Sequence, residues 1–467
     1  MSELENMSAE AKAILDGHLG GDISKSFETG YNIAGLDQIG GAALRPQSLA
    51  QDVKNLTYGD QDFTIFPLLP RMQANSTVEQ YVIQDGYGDA GSSRFVDETG
   101  ISAINDPGVR QKLVRMKYVS DTRRISLVSM QVRNIADPMA FETENAMKVI
   151  AKTIEYGVFY GDSDLSSIGA GEGREFDGLA KLIDKQNVID LRGEILSETK
   201  LNEAATRVAK GYGTPTDAFM PIGVQTEFVN NQLSRQYVLM QAPEGLSSGF
   251  NVHGFNSSRG HINLHGSTIM DNDRILDESV GLALNAPVAP TTVAAKVNAG
   301  AGQFTDADVA GDLNYRVRVS AAGAVKSATT AVTVKATDKK SEIALDVTVA
   351  GLYQAQPEFI EIFREDAESH TFFLIGRVPF FQAERKADGF HLAFVDKNDV
   401  MPGTADVFVG EMNQRTIALY ELMPLLRLPL AQFNASVNFT ELWYGALAVF
   451  APKRWAHLKN VGYKVFG

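Results

Sequence analysis

The sequence predicts an α+β chain in which one long helix is a spine for sheets on either side, and three observations predict it. Residues 137–161 carry a helical apolar repeat, with strand-like alternation before them and mixed α/β patterning after. From Ala286 to about Thr404 the pattern becomes short alternating runs between turn residues, which predicts an inserted β-sandwich of ~100 residues. The chain has 467 residues, 44% of them hydrophobic, which is enough for two or three domains with real cores.

The spine has its own start signals. Asp137 offers an N-cap oxygen, and Pro138 takes the first helical position, where a missing N–H costs nothing. Glu142 and Glu144 then put negative charge near the positive end of the helix dipole. Met147, Ile150, Ala151, Ile154 and Val158 recur at helical spacing, while Lys148, Lys152 and Glu155 fall elsewhere, so one face is expected to be apolar and the other wet. At ~1.5 Å per residue this helix would be on the order of 35 Å long.

Composition removes several functions. Forty-three basic residues against 57 acidic ones give −14, which argues against tight electrostatic binding to nucleic acid or to anionic membranes. With no cysteine, disulfides, thiolate metal sites and thiol nucleophiles are excluded. The first residues, MSELENMSAEAKAILDG, are acidic and lack the apolar core of a secretory signal. No apolar run reaches the ~18 residues a membrane helix needs, so no membrane partner is expected.

In chain order, residues 1–77 read as an arm. Glycines at 17, 20, 21, 30, 35, 40 and 41 interrupt every periodic run, so this segment is expected to be ordered by lying on something else, another copy of the chain included. From Val78 to about Leu127 the period becomes two. Leu113–Val119 alternates as a strand, with Tyr81–Ile83 as its partner across a polar connection. Charge is sorted by limb: Glu79, Asp85, Asp89, Asp97 and Glu98 go out with only Arg94 against them. Arg110, Lys112, Arg115, Lys117, Arg123 and Arg124 return with only Asp121. Either these are cross-strand pairs on a solvated hairpin, worth about 0.2–1 kcal/mol each, or they fix the register of a loop on a neighbouring subunit.

After the spine, Ala204, Ala205, Val208 and Ala209 mark a helix that ends at Gly211 and Gly213. Ala218–Met220 is a short strand, and Val224, Phe228, Val229 and Leu233 mark another helix. Leu442–Phe450 reads as a buried strand that resumes this α/β region, with Lys453, Arg454, Trp455 and Leu458 closing the chain. Within the sandwich the strands are signalled by Tyr315/Val317/Val319, Val332/Val334, Ile343/Leu345/Val347/Val349 and Ile360/Ile362. A unit of this kind, set into a surface loop, is expected to leave the host core intact and to project outward.

Catalytic chemistry is hard to find. The GLSSG of Gly245–Gly249 has nucleophile-elbow spacing around Ser247 but lacks the strand before and helix after that expose such a serine. Gly169, Gly171 and Gly173 follow a helix, with no Lys-Ser/Thr after them, so they do not make a phosphate loop. His253, His261 and His265 cluster in sequence, but His261 and His265 lie in a strand-like run, four residues and hence ~13 Å apart, too far for one ion. Asp271, Asp273 and Asp277 lack the glycine and distal glutamate of a calcium loop. No catalytic, cofactor or metal residues are assigned.

Several stretches carry a resemblance. DTRRISLVS, the spine ending in FYGDS, EFDGLAKLIDKQNVIDLRG, LNEAATRVAKGYGTPTDAFMPIGV, HGSTIMDN, FVDKN, TADVFVGEM and LWYGALAVFAPKRWAHLKNV resemble the major capsid proteins of Twort-like contractile-tailed phages of Gram-positive bacteria, which have the Hong Kong 97 fold. The resemblance implies an N-arm over 1–77, an E-loop over 78–128 that reaches over a neighbour, and a peripheral domain with the spine over 129–176. It implies an axial domain over 177–285, an immunoglobulin- or fibronectin-like insertion over 286–404 on the outer face, and completion of the axial domain with return to the peripheral domain over 405–467. It further implies a homo-oligomer of hexamers and pentamers in an icosahedral shell around double-stranded DNA, held without sequence-specific contact. Portal, scaffold and a prohead protease would be assembly partners in the host cytoplasm, and the virion the final location. An encapsulin-like compartment shell, a surface-binding role for the sandwich, or an enzyme built on Ser247 or the histidines are the alternatives.

Overall fold

The spine forms over Pro138–Tyr160 and buries Ala146, Ile150, Ile154, Val158 and Phe159. Two side chains depart from the expected wheel. Met147 is 38% exposed, and Glu155, expected on the wet face, is fully buried. The cause lies about ninety residues earlier. The Glu155 carboxylate accepts the backbone N–H groups of Thr64 at 2.8 Å, Ile65 at 3.4 Å and Phe66 at 3.3 Å, and the Thr64 hydroxyl at 2.9 Å. A charge can be buried where donors replace its water in this way. Burial pushes the carboxyl's pKa up, and the same donors pull it back.

In this computed structural model the described residues are 59–88, 95–101, 104, 106–132, 137–165, 173–233, 252–272, 274–277, 286–321, 325–350, 357–432 and 434–463. Most of the expected arm lies outside them. Its last part does not depend on another copy: Ile65, Leu69 and Ala74 enter the spine core, and β1 (Arg71–Gln73) pairs in parallel with β19 (Ile417–Pro429). The sheet so begun runs β1-β19-β20-β4, with β20 (Ser436–Val449) and β4 (Lys117–Ser126) antiparallel. Trp443, Leu447 and Val449 of β20 share a core with Ile150, Ile154 and Val158. Burying one such aliphatic side chain stabilises by about 1.5–3 kcal/mol.

A second sheet, of six strands, runs β5 (Val188–Asp190), β21 (Trp455–Gly462), β18 (Thr404–Gly410), β6 (Asp217–Pro221), β8 (Gly260–Ser267) and β7 (Gly254–Ser257). Its Phe219, Phe408 and Trp455 join the spine core, and Phe408 stacks on Phe159 with centroids 5.6 Å apart. The opposite face is covered by the helices Glu198–Lys210 and Ile222–Leu233 through Leu201, Ala204, Ala205, Val208, Val224 and Phe228. Strands covered on both faces have no wet side, so β6 and β18 are buried at every position. Ser197 caps the first of these helices, and Gly211 ends it where a Cβ would stand 2.1 Å from the Lys453 carbonyl.

Here the expectation that Leu442–Phe450 resumes the α/β region is corrected. β18 and β21 belong to the six-stranded sheet, whereas β19 and β20, between them in sequence, cross to the spine sheet. Leu442–Phe450 is a buried strand, but an all-apolar run names no partner, and its partners are β4 and β19.

The inserted unit is all-antiparallel. One sheet runs β11 (Val325–Lys326), β10 (Leu313–Ala321), β14 (Pro357–Glu365) and β15 (Phe372–Pro379), with β12 (Thr330–Val334) also on β10. The other runs β16 (Glu384–Arg385), β17 (Phe390–Asp396), β13 (Ser341–Val349) and β9 (Thr292–Ala299). Inward residues of both sheets form one core, with Tyr315, Val317, Val319, Ile343, Leu345, Val347, Ile360 and Ile362 as expected members.

The hairpin is β2 (Val78–Gly86) against β3 (Gly108–Arg115). Leu113–Val119 is therefore not one strand. Met116, buried in the spine core, breaks it, and its N–H goes to the Thr77 carbonyl at 2.9 Å. Residues before Met116 pair within the hairpin, and those after it pair in the core sheet.

Candidate assembly surface

Pairing register decides which hairpin side chains share a face, because directly opposed residues point the same way. Gln80 faces Leu113, Val82 faces Gln111, Gln84 faces Val109, and Val78 faces Arg115. This face carries no charge except Arg115. Its Val82, Val109 and Leu113 are 67%, 56% and 58% exposed. The other face pairs Glu79 with Val114, Tyr81 with Lys112, and Ile83 with Arg110. It turns toward the chain's own body: Tyr81 meets Phe450 edge-on at 4.9 Å, and its hydroxyl donates to the Val449 carbonyl at 3.4 Å. Burial, with Tyr420 nearby, pushes the Tyr81 hydroxyl up to about 12.

The charges sorted by limb in the sequence lie mostly on one face of the hairpin, with Arg115 on the other, and they do not form one patch. Asp85 and Arg110 pair across the two limbs. Glu79 accepts the N–H groups of Asn75 at 2.5 Å and Ser76 at 3.0 Å, holding the turn that opens the hairpin. Lys112 and Arg115 are exposed, and Asp97 and Glu98 lie in an exposed turn closed by the Gly100 N–H on the Asp97 carbonyl at 2.8 Å. Beyond the crease, Lys117 donates to the Gly173 carbonyl, and Arg123 pairs with Asp121 at 2.8 Å and with Glu142 of the spine at 3.5 Å. Arg124 is exposed on β4.

A second exposed apolar surface escapes the sequence reading. Leu425, Leu426 and Leu428 on the far end of β19, with Leu430 after it, are exposed, as are Leu127, Val128, Met130 and Val132 on and after the helix Leu127–Gln131. Arg427 ties this end to the first turns of the spine, donating to the Thr143 hydroxyl at 3.3 Å. The available signal is MPLLRLPL: five apolar side chains that fit neither period, with two prolines that unfit the strand for further pairing.

The candidate chemical groups are separated. His261 is hydrogen-bonded to Asn256 at 2.8 Å, and His265 to Asp217 at 2.9 Å, with its ring stacked on Phe219. Against the burial that would raise it, His265, Thr216 and Asn263 hold the Asp217 carboxyl below its ordinary range. Ser247 and the GLSSG stretch lie outside the described residues, as do Gly169 and Gly171. Among the described residues no group of three or more His, Cys, Asp or Glu side chains is placed to hold a metal ion. No described helix is long and apolar enough to cross a membrane.

Comparison with known proteins decides the kinship. The chain is 48% identical over 443 residues to the major capsid protein of Staphylococcus phage K, covering 95% of both chains. The chain belongs to the phage major capsid proteins. A relative from Enterococcus phage phiEF24C is 46% identical over 470 residues, covering 100% of this chain and 99% of that protein. The family described as SU10 major capsid protein matches residues 117–279, from the start of β4 through the spine and the α/β helices to beyond β8. Among solved structures, the capsid of Myoviridae phage XM1 is 9% identical with a TM-score of 0.44, covering 93% of this chain and all of that one.

Proposed function

We propose that this chain is the building block of a phage head: many copies assemble as hexamers and pentamers into an icosahedral shell that encloses the double-stranded DNA genome, with no catalytic turnover. The observation that carries this reading is identity of 46–48% over nearly the whole length to capsid proteins of Enterococcus and Staphylococcus phages. The division of the chain fits it. The spine and its four-stranded sheet correspond to a peripheral domain, the six-stranded sheet and its helices to an axial domain, and the hairpin to an E-loop. The two-sheet insertion would be immunoglobulin-like. The N-terminal residues would form the arm, and portal, scaffold and prohead protease would be partners during assembly in the host cytoplasm. A net charge of −14 suits a shell that must enclose DNA without gripping it.

Within this reading the hairpin meets a neighbouring copy through its Val82/Leu113 face. One copy must offer different surfaces to the next for a ring to close, and an exposed sheet face that is apolar and amide-bearing apart from Arg115 fits that use. The charged residues on the other face orient the hairpin on its own chain. Negative-stain microscopy of the purified protein, alone and with its scaffold, tests the reading: closed shells or five- and six-fold rings support it, and a discrete monomer or dimer under every condition overturns it.

A further inference from the structure

The inserted unit is fastened to its host by charge and by backbone pairing. Arg318 on β10, Glu361 on β14 and Arg377 on β15 stand directly opposite one another, so they form one row across the sheet. Glu361 is 1% exposed and takes Arg318 at 2.6 Å, Arg377 at 3.4 Å and Lys326 at 3.5 Å. Three cations around one buried carboxylate are more than its own neutralisation requires, and the arginines have other work. Arg377 donates to the Tyr156 hydroxyl on the spine at 3.1 Å, with its guanidinium 5.4 Å from that ring. Arg318 donates to the carbonyl of Asp277, on the incoming limb, at 3.3 Å.

The host answers with backbone pairing of its own. The Leu276 N–H goes to the Phe372 carbonyl at 2.9 Å, and the Leu374 N–H to the Arg274 carbonyl at 2.8 Å, so residues 274–276 extend the sheet beyond β15. The side chain of the same Arg274 leaves in another direction. It pairs with Asp406 of β18 at 2.7 Å and lies 5.5 Å from the Tyr160 ring of the spine. Asp406 is also bonded to His457 of β21 at 3.1 Å. Arg274 thus touches all three parts: its backbone the insertion, its side chain the six-stranded sheet and the spine. The outgoing limb is pinned as well, since Asn460 of β21 donates to the Asp399 carbonyl at 3.0 Å and accepts the Met401 N–H at 3.0 Å.

A unit that only projects from a loop needs none of these contacts. Buried ion pairs add little net stability, but they penalise every other arrangement because a displaced partner leaves a charge unpaired. We propose that the inserted unit is a clamp that holds the spine and the six-stranded sheet in one fixed relation, pinned by its own Arg377 and by Arg274 of the host limb that pairs with it. Its work is on the conformation of its own subunit, and it needs no external ligand. This stands whether or not the chain forms a shell.

Hydrogen exchange read by mass spectrometry on the full-length protein tests it. In Arg377→Met and Arg274→Met, exchange is expected to rise at least tenfold in the last turns of the spine, residues 154–160, and in β18 and β21. His391→Ala, on β17, where the ring touches Asp346 and Asp388 of the insertion, should leave those host segments unchanged. Exchange that rises only within residues 292–396 in the arginine variants would overturn the proposal. Should Arg274→Met lose cooperative unfolding, Arg377→Lys keeps the charge but loses the fork, and the same host segments must still loosen.

Discussion

The spine and the hairpin are both long, both rich in charge, and opposite in how they use it. On the spine a carboxylate is taken wholly inside and satisfied by four donors from residues 64–66. On the hairpin most strand charges lie on the side near the chain's own body, and the outward side is left to valine, leucine and glutamine with Arg115 at its base. Where an element holds shape by itself, polar groups are buried and paired; where the proposed function has it meet another copy, apolar groups are exposed and, Arg115 apart, charge is kept to the other side.

That contrast can be broken at its strongest point first. Ile154→Ala empties a fully buried site between spine and sheet and should cost about 2–5 kcal/mol, seen as a lower midpoint of denaturant unfolding. Glu155→Ala leaves the N–H groups of Thr64, Ile65 and Phe66 without their acceptor. It should cost roughly 1–3 kcal/mol and speed hydrogen exchange at those residues. Unchanged exchange there would mean that the carboxylate does not hold the incoming chain.

The junction behind the spine supplies a pH test. Against burial that would raise it, Arg274 and then His457 and Lys459 hold the Asp406 carboxyl well below its ordinary value of 3.8, while the Tyr160 hydroxyl beside it is pushed up by burial and by Asp406. A carboxyl lowered in the folded state gives stability that is present above its unfolded value and lost as pH falls. Acid unfolding below about pH 3.8 should therefore be steeper in the native protein than in Asp406→Asn. Equal slopes would remove Asp406 from the account. The smallest effect is expected at Arg110→Ala, which breaks an exposed pair with Asp85 and should leave the unfolding midpoint nearly unchanged.

Legibility followed the range of the interactions. The spine, the helix over Ala204–Val208 and the strands of the insertion are set by local period, and each is where its repeat puts it. Glu155 was illegible because a glutamate at a polar wheel position looks solvated until a segment ninety residues away closes over it. Met116 hides a crease inside seemingly regular alternation, since a core contact and not the local pattern ends the strand. The exchange of β18 and β21 with β19 and β20 between two sheets rests on partners that an apolar run cannot name. Of the assembly surface, the sequence shows that a hairpin exists and that its charges are sorted. Which face they occupy depends on the register that pairs Tyr81 with Lys112 and Val82 with Gln111.

The most direct measurement pairs shell formation with stability in Val82→Glu/Leu113→Glu. Both side chains are exposed on the outward hairpin face, so the unfolding midpoint of the subunit should stay within about 0.5 kcal/mol of the native protein while closed particles disappear from micrographs. Normal particle yield from the double variant would contradict the account and show that the outward face is merely solvated.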